Sequence, residues 1–377
     1  MVKIALFLTY DYSIKTWHDT GTLEKELKIY KEISNNFPVT FTFFSYGDEE
    51  DYKYEKYFNE FEIVPIYALL SKSNSKVIRF IKSFQIPFLL KNKLKNCSII
   101  QQHQLMGSWV TIISKFLNNI PLYTRTGYDM YEFAIKENKS LLKQKFYKLL
   151  TSITLKNSDI YSVTSQCDFK FLKENFKTKN IKINIRPNWV DNCSTKKFSS
   201  RYKNKILTVG RMTEQKNYFY LLNEMKYISK NFELDIVGEG PLNQRLQDYS
   251  KENNLKVNFL GTINNENLLD LYQRYVFFVT ASSFEGNPKT VLEAASSSCI
   301  LLASDIPNHR ELIKSGENGF LFELKKGNLS KLLSEIFEKN YDLNAISSAA
   351  SKKVKENNLI DNLAIKYYQD YKNLLSI

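Results

Sequence analysis

The stretch EGNPKTVLEA occupies residues 285–294 and sets a loop glutamate, Glu285, eight positions before a second glutamate, Glu293. Asn287 is a favoured N-cap residue and Pro288 a favoured first residue of a helix. The spacing therefore predicts a helix that begins at Pro288 and carries Glu293 about two turns inside it.

The start of this helix has the features of an anion site. The backbone amides of Lys289 and Thr290 point out of the first turn without intrahelical acceptors, and the helix dipole adds positive potential there. Phosphate suits such a place, and Glu285 and Glu293 can accept hydrogen bonds from hydroxyl groups on either side of it. A sugar nucleotide has this arrangement of groups.

Further motifs precede and follow this stretch in the second half of the chain. A predicted strand ends at Gly210, and Arg211 and Lys216 follow in the loop. The quoted motifs are VGRMTEQKN at 209–217, VGEGPL at 237–242, PNWVD at 187–191 and SDIP at 304–307. A glycine that ends a strand before a basic loop is typical of a phosphate site.

Together these motifs resemble those of the family-4 group of retaining glycosyltransferases, whose signature is E-x7-E. The resemblance implies that Arg211 and Lys216 bind a diphosphate, that Glu293 binds the ribose hydroxyls and that Glu285 binds the donor sugar. It covers the C-terminal half almost continuously and the N-terminal half weakly. Gly210, the loop residues Gly286 and Asn287, and the helix start at Pro288, Lys289 and Thr290 complete the implied donor site.

The chain alternates short apolar runs with helical patterns, which is typical of parallel sheets wound with helices. Strands are predicted at 2–9 and 39–43 in the first half, and at 206–209, 234–237, 257–260, 276–280, 300–303 and 319–322 in the second. The resemblance implies the GT-B fold, in which two Rossmann-like domains face each other across the active site. We place the N-terminal domain at 1–190 and the C-terminal domain at 191–377. The last helix, at about 358–375, is expected to pack back on the first domain.

Length and composition fit an ordinary two-domain protein, because the chain has 377 residues of which 43% are hydrophobic and 25% charged. The formal charge of +13 favours anionic partners. Nucleic acid is not among the expected partners, since the chain lacks a zinc-ligand array or an RNP-like motif.

Cys97, Cys167, Cys193 and Cys299 are widely separated, which indicates reduced structural thiols. No signal sequence or spanning segment is recognised, so we expect a cytoplasmic protein.

The N-terminal half offers weaker candidates. A loop is predicted at residues 17–22, and it contains His18 and Gly21. Its backbone could approach the diphosphate or shape the acceptor pocket. His103 follows a predicted strand at a position where the family carries a histidine. A turn glycine and a hydrogen-bonded structural imidazole explain the same residues without a ligand.

The sequence departs from the family at residues 121–129. Many relatives end this strand with a histidine that touches the donor sugar, whereas this chain has Thr126 there with Arg125 before it. Arg125 could serve an acidic sugar or an acceptor phosphate, and Asp129 an acceptor hydroxyl. The alternative is a buried cap and an ion pair.

The resemblance implies transfer of a glycosyl group from a nucleotide diphosphate sugar, by default a UDP-sugar, to a glycan or lipid-linked acceptor in surface polysaccharide assembly. No D-x-D motif is present, and residues 48–51 resemble a solvated loop, so neither a metal nor a cofactor is expected. Two alternatives stay open: a sugar-nucleotide epimerase of the same fold, and a catalytically silent sugar-nucleotide or glycan-binding subunit.

A basic, apolar segment suggests how a lipid-linked acceptor would be reached. No Asp or Glu occurs between Glu62 and Asp129. The segment at 72–95 combines seven basic residues (Lys72, Lys76, Arg79, Lys82, Lys91, Lys93 and Lys95) with Val77, Phe80, Ile81, Phe84 and Phe88. Such a pattern fits a helix on the anionic inner surface of the membrane, but a helix that buries its apolar stripe in the domain would show it too.

Overall fold

The computed structural model describes residues 1–192, 197–228 and 231–376. Within these residues the strands are β1 Val2–Phe7, β2 Val39–Ser45, β3 Glu62–Pro65, β4 Ile99–His103, β5 Leu122–Arg125, β6 Ile160–Val163, β7 Ile183–Ile185, β8 Tyr202–Val209, β9 Glu233–Val237, β10 Val257–Phe259, β11 Tyr275–Thr280, β12 Ile300–Ser304 and β13 Phe320–Phe322.

The α-helices of the same residues alternate with these strands. They are α1 Ile14–Asp19, α2 Leu23–Asn36, α3 Ile66–Leu69, α4 Lys76–Ser83, α5 Ile86–Leu94, α6 Ser108–Asn118, α7 Met130–Lys136, α8 Leu141–Asn157, α9 Gln166–Asn175, α10 Tyr218–Glu224, α11 Asn243–Glu252, α12 Asn265–Tyr272, α13 Lys289–Ser296, α14 Pro307–Leu312, α15 Asn328–Glu338, α16 Leu343–Asn358 and α17 Ile360–Leu375.

The chain forms two compact units. The first contains Met1–Pro187 and the C-terminal segment that begins at Asp361, and the second contains Asn188–Ile360. Each unit is built on a parallel sheet with helices, so the predicted two-domain α/β fold is confirmed.

The sheet of the first unit has the described strands in the order β3-β2-β1-β4-β5-β6-β7. β1 and β4 are neighbours in space although β2 and β3 come between them in the chain, so the direction of winding reverses between them. Ile4 to Phe7 are fully buried, as expected for a central strand that is covered on both faces.

Helix α17 completes the first unit. Its Leu363, Tyr367 and Tyr371 are buried, and the Tyr371 hydroxyl donates a hydrogen bond to Gln101 Oε1 at 2.7 Å. Asp370, one residue before Tyr371, is buried in an ion pair with Arg186 at 2.6 Å. The C-terminal segment is therefore tied to the first sheet by polar contacts as well as by packing.

The sheet of the second unit has the order β10-β9-β8-β11-β12-β13. β8 is followed along the chain by β9 and β10 on one side, and then by β11 on its other side. Two apolar layers enclose this sheet, one containing Leu221 and Leu246 and the other Leu292 and Leu301.

Two local expectations were wrong. Trp17 and His18 belong to helix α1 rather than to a loop, because the Ser13 side chain caps that helix by accepting a hydrogen bond from Thr16 N. Asp51 is not solvated: its buried carboxylate accepts hydrogen bonds from Ile14 N at 3.1 Å and Lys15 N at 3.0 Å. It therefore also caps α1. Cys97 and Cys299 are buried free thiols, Cys167 is partly buried on α9, and Cys193 lies outside the described residues.

Candidate active site

The candidate donor residues lie at the carboxyl edge of the second sheet. Arg211 and Lys216 follow β8, and Glu285 follows β11, which is the strand beside β8. The winding direction reverses between these two strands. In open α/β sheets ligands bind in the crevice at such a switch point, where the loops diverge to opposite faces.

An ion pair joins the two loops across this switch point. Lys216 Nζ lies 2.5 Å from Glu285 Oε1, with 20% and 8% of the two side chains exposed. Gln215 adds to the link, because its Nε2 donates to Phe284 O at 2.8 Å and its carbonyl accepts from Ser283 N at 2.9 Å. The cation expected at the diphosphate and the carboxylate expected at the sugar are thus already in contact.

The loop that carries Glu285 is held from two further directions. The Ser304 hydroxyl, at the end of β12, donates to Ser282 O at 2.6 Å. Asn308 Nδ2, in α14, donates to Gly286 O at 2.7 Å. Fixing the backbone on either side of Glu285 preorganises its side chain before any ligand arrives.

The helix after this loop begins one residue later than predicted. Pro288 is its N-cap and Lys289 its first residue. Asn287 does not cap the helix, because its Oδ1 accepts a hydrogen bond from Asn188 N at 2.8 Å and its carbonyl accepts from Asn188 Nδ2 at 2.6 Å. The start of α13 still lies beside Glu285, as the anion-site prediction requires.

Glu293 lies inside the unit on α13. Only 4% of the residue is exposed, and the Tyr272 hydroxyl donates to its Oε2 at 3.3 Å. Burial raises the pKa of Tyr272 well above its ordinary value, so this hydroxyl keeps its proton and remains a donor. Tyr272 thereby fixes the orientation of the carboxylate.

Glycines allow the loops after β8 and β9 to meet backbone to backbone. Gly238 has φ of +122°, and a Cβ atom there would lie 2.2 Å from Gly210 O. A Cβ atom on Gly240 would lie 2.5 Å from Met212 O. Met212 N donates to Glu239 O at 2.9 Å across the same junction. The glycines predicted at these strand ends therefore serve close approach, which shapes the loop that carries Arg211.

Arg211 differs from Lys216 in its surroundings. Its side chain is exposed, and within the described residues it has no ion pair or side-chain hydrogen bond. A guanidinium in this state can turn towards a diphosphate without breaking an internal contact.

His309 lies close to the ion pair, although it was not among the residues predicted for the site. It is fully buried in α14, its Nδ1 lies 2.8 Å from Ser304 O, and its charge state responds to both Glu285 and Lys216. Burial lowers the pKa of His309, so the ring is neutral and donates from Nδ1.

In the first unit, His103 ends β4 beside β1, where the winding of that sheet reverses. Its Nε2 lies 3.4 Å from Glu26 Oε2, and its backbone carbonyl accepts from the Thr9 hydroxyl at 3.2 Å. His18 is half-exposed beside Asp19 and the Tyr54 ring. Gly21, at φ of +67° with open space around it, forms the turn before α2.

Arg125 and Thr126 have internal roles. Arg125 is 3% exposed and its Nε donates to the Tyr367 hydroxyl of α17 at 2.7 Å. The Thr126 hydroxyl donates to Ser162 O at 3.3 Å. Arg125 is thus held inside the first unit by a hydrogen bond to a tyrosine rather than turned towards an acceptor phosphate.

Asp129 is a buried helix cap. Its Oδ1 accepts from Glu132 N at 2.9 Å and its Oδ2 accepts from the Thr151 hydroxyl at 3.3 Å, so both oxygens are occupied. Burial raises the pKa of Asp129 to about 6. Burial also raises the pKa of a nearby carboxyl, Asp168, to about 7.

Asp168 should make stability depend on pH. A carboxyl whose pKa is higher in the folded than in the unfolded protein stabilises the fold fully below the unfolded pKa, near 4, and this stabilisation is lost as pH rises through about 7. We therefore expect Asp168→Asn, which resembles the protonated form, to raise the melting temperature by roughly 5 °C at pH 8 and by only about a third as much at pH 5. Asp19→Asn, on an exposed position, is the control; an equal shift at both pH values would contradict this reading.

A comparison with protein families matches residues 193–353 to glycosyl transferases group 1. These residues include the ion pair, both glycine junctions and the start of α13. The match to this family thus spans the whole candidate donor site.

Two curated bacterial proteins illustrate the relationship. One, from Campylobacter jejuni, is a "GalNAc-alpha-(1->4)-GalNAc-alpha-(1->3)-diNAcBac-PP-undecaprenol alpha-1,4-N-acetyl-D-galactosaminyltransferase" and is 29% identical over 49% of this chain and 52% of its own length. The chain thus matches about half the length of that relative. The other, from Escherichia coli, is a "UDP-Gal:alpha-D-GlcNAc-diphosphoundecaprenol alpha-1,3-galactosyltransferase", 27% identical over 67% of this chain and 68% of its own.

The solved structure of sucrose-phosphate synthase from Thermosynechococcus elongatus covers 100% of both chains with a TM-score of 0.81 and 16% identity. This likeness and the two parallel sheets confirm the expected GT-B fold. In the described part of the chain, every helix is too short or too polar to cross a membrane.

Sequence reasoning missed the residues that hold the donor loop. Gln215, Asn188 and Asn308 each bond to the backbone or side chains of residues 283–287. Gln215 lies beside Lys216 inside one of the quoted motifs, and Asn188 lies inside another. Their hydrogen-bond partners could not be predicted, because these lie 69 and 99 residues away in sequence.

Proposed function

We propose that this protein is a glycosyltransferase that moves a sugar, with retention at the anomeric carbon, from a nucleotide diphosphate sugar to a lipid-linked glycan acceptor. The ion pair between Lys216 and Glu285 at the switch point carries the proposal. It brings a cation suited to a diphosphate against a carboxylate suited to sugar hydroxyls, in the part of the chain that matches the group 1 family.

Each donor residue has a distinct proposed role. Arg211 and Lys216 bind the diphosphate, and the first amides of α13, at Lys289 and Thr290, bind its other side. Glu293 accepts hydrogen bonds from the ribose and Glu285 from the donor sugar. Gly210, Gly286, Asn287 and Pro288 shape the backbone around them. Uridine is the proposed base, because the Escherichia coli relative is named for UDP-Gal.

The proposed chemistry needs no nucleophile from the protein. The bond between the anomeric carbon and the diphosphate breaks while the acceptor oxygen bonds to the same face of that carbon. The acceptor proton passes to an oxygen of the departing diphosphate, whose charge Arg211, Lys216 and the α13 dipole stabilise. These groups supply the positive charge in the proposal, which invokes no metal ion or cofactor.

The lipid-linked acceptor is proposed from two observations. Both relatives are named for undecaprenol diphosphate substrates. In this chain, Val77, Ile81, Phe84 and Phe88 are exposed by 68%, 62%, 41% and 62%, so helices α4 and α5 do not bury the apolar stripe of residues 72–95. We therefore propose that the protein works in the cytoplasm, peripherally on the inner face of the membrane, where α4 and α5 meet anionic headgroups.

The two glutamates provide the test of the donor site. Glu293→Gln is expected to weaken binding of free UDP and of the UDP-sugar alike. Glu285→Gln should weaken only the UDP-sugar, and it releases Lys216 from its ion pair, so free UDP should bind as well as before or more tightly. Titration calorimetry with both ligands measures this, after a panel of sugar nucleotides has been screened for thermal stabilisation.

The exposed Glu266→Gln serves as the control for charge removal in the same unit. Equal losses for UDP and UDP-sugar in both glutamate variants would contradict the division of roles. If no sugar nucleotide stabilises the wild-type protein, the proposed activity itself fails.

A further inference from the structure

A second exposed apolar face lies on helix α8, outside the basic segment at 72–95. Five large apolar side chains of this helix point away from the unit: Leu141, Leu142, Phe146, Leu149 and Ile153. Leu142 is 81% exposed and Leu149 60%. We call these five residues the α8 face.

The exposure is not a consequence of a short or detached helix. α8 has 17 residues, and its opposite side buries Leu150, Thr151, Thr154 and Leu155 in the unit. Five large apolar residues on the outer side of a packed helix form a continuous surface rather than scattered exceptions. Such a surface on a soluble domain marks a place of interaction.

The charges around the α8 face indicate which partner it fits. No Asp or Glu occurs between Glu137 and Asp159, while this interval contains Lys139, Lys143, Lys145, Lys148 and Lys156. At 100° per residue, Lys145 and Lys156 fall within the same arc as the leucines. Glu137, at the edge of this interval, is paired with Lys139 at 3.2 Å. An apolar face with interleaved lysines and unopposed positive charge complements an anionic lipid surface.

The α8 face lies on the same helix layer as the membrane segment already proposed. Helix α6 connects the two: its Trp109 Nε1 donates to Ser83 Oγ at the end of α4 at 2.8 Å. On its other side, Ser108 Oγ accepts from the Thr154 hydroxyl of α8 at 2.7 Å. Phe116 of α6 is itself 66% exposed. Helices α4, α5, α6 and α8 thus form one layer on the first unit.

We propose that the α8 face is a second membrane-contact surface, which inserts its leucines among anionic lipids together with α4 and α5. The inference rests on the proposed function, since it names how the same protein meets its lipid-linked acceptor. Two contacts joined by a rigid layer bind far more tightly than either alone, because the second forms within a molecule that is already held at the surface. They also fix the orientation of the first unit on the bilayer.

Vesicle sedimentation of the full-length protein tests this proposal. The vesicles contain either phosphatidylglycerol with phosphatidylcholine or phosphatidylcholine alone, at low and high salt. Replacing Leu142 and Leu149 together with Gln should weaken partition to the anionic vesicles by about tenfold per leucine. Replacing Lys143, Lys145 and Lys156 together with Gln should weaken it by about 100-fold at low salt and much less at high salt.

Matched variants separate this surface from general effects. Lys325, Lys326 and Lys331 changed together to Gln remove the same charge from exposed positions of the second unit and should leave partition within about twofold of the wild type. Val77 and Ile81 changed to Gln weaken the α4 contact. All α8 variants should keep the wild-type affinity for the donor nucleotide, because their substitutions lie outside the second unit.

Three results would overturn the proposal. The first is that both α8 variants bind the anionic vesicles as strongly as the wild type does, while the α4 variant loses binding. Another is a loss of equal size in the second-unit lysine control. The third is a concentration-dependent dimer in the wild type that the leucine variant abolishes without any change in vesicle binding, since a second copy would then cover the face. Donor binding that persists in any of these cases leaves the glycosyltransferase proposal standing.

Discussion

Replacing Lys216 by glutamine is expected to lower the rate of sugar transfer by at least about 100-fold. Lys216 supplies a charge that is already held in place by Glu285, and a preorganised charge stabilises the departing diphosphate without reorganisation at the moment of reaction. Initial rates with a saturating sugar nucleotide measure the effect. Melting temperature is followed in parallel, because the substitution also leaves the largely buried Glu285 carboxylate without its cation.

Arg211→Gln separates catalysis from stability. Its side chain is exposed and, within the described residues, makes no ion pair, so we expect a rate loss of the same order with an unchanged melting temperature. Arg274→Gln is the matched control: that arginine is also exposed but precedes β11, at the opposite edge of the same sheet. Wild-type transfer by both Lys216→Gln and Arg211→Gln would exclude the diphosphate role of these residues.

The second unit could be predicted closely because its decisive signals are local. A glycine that ends a strand, a basic loop after it and a helix start with Pro288 are features of consecutive residues. The structure shows the same features at β8, β9 and the start of α13. Steric and capping rules act over four or five residues, so a single sequence is enough to apply them.

Two surroundings that the sequence did not show depend on partners far along the chain. Asn287 is a residue type favoured at helix N-caps. Its side chain instead accepts a hydrogen bond from Asn188 N, 99 residues earlier. Arg125 resembles a ligand for an anion, but Tyr367, 242 residues later, covers it from α17. The local sequence around Arg125 cannot predict its contact with Tyr367, because that contact forms only when the C-terminal helix packs on the first unit.

Exposure of an apolar stripe is a third kind of information that sequence lacks. The apolar residues of α4 recur with the same helical period whether they face a core or solvent. The structure shows Val77 and Ile81 on the outside, and it shows a second such face on α8 that the sequence pattern did not reveal. Burial of one side of α8 by Leu150 and Leu155 leaves its more hydrophobic side outward.

Replacing Gly238 by alanine is expected to prevent the second unit from reaching its native packing. A Cβ atom there would lie 2.2 Å from Gly210 O, and a backbone oxygen cannot swing aside as the end of a side chain can. Either the strand end of β9 or the loop with Arg211 must shift, which breaks the hydrogen bond from Gly210 N to Val237 O and displaces the proposed diphosphate ligands. We expect a loss of at least about 4 kcal/mol in the free energy of unfolding, with little folded protein at 37 °C.

Gly316→Ala isolates the clash from the cost of the backbone angle. Gly316 also has a positive φ, +83°, but a Cβ atom there meets nothing within 4 Å, so alanine should cost only about 1 kcal/mol. Denaturant unfolding of both variants beside the wild type gives the comparison. Gly240→Ala, whose Cβ atom would lie 2.5 Å from Met212 O, should behave like Gly238→Ala. If Gly238→Ala proves no less stable than Gly316→Ala, the two loops are not locked together, and the position of Arg211 cannot be attributed to the glycine junction.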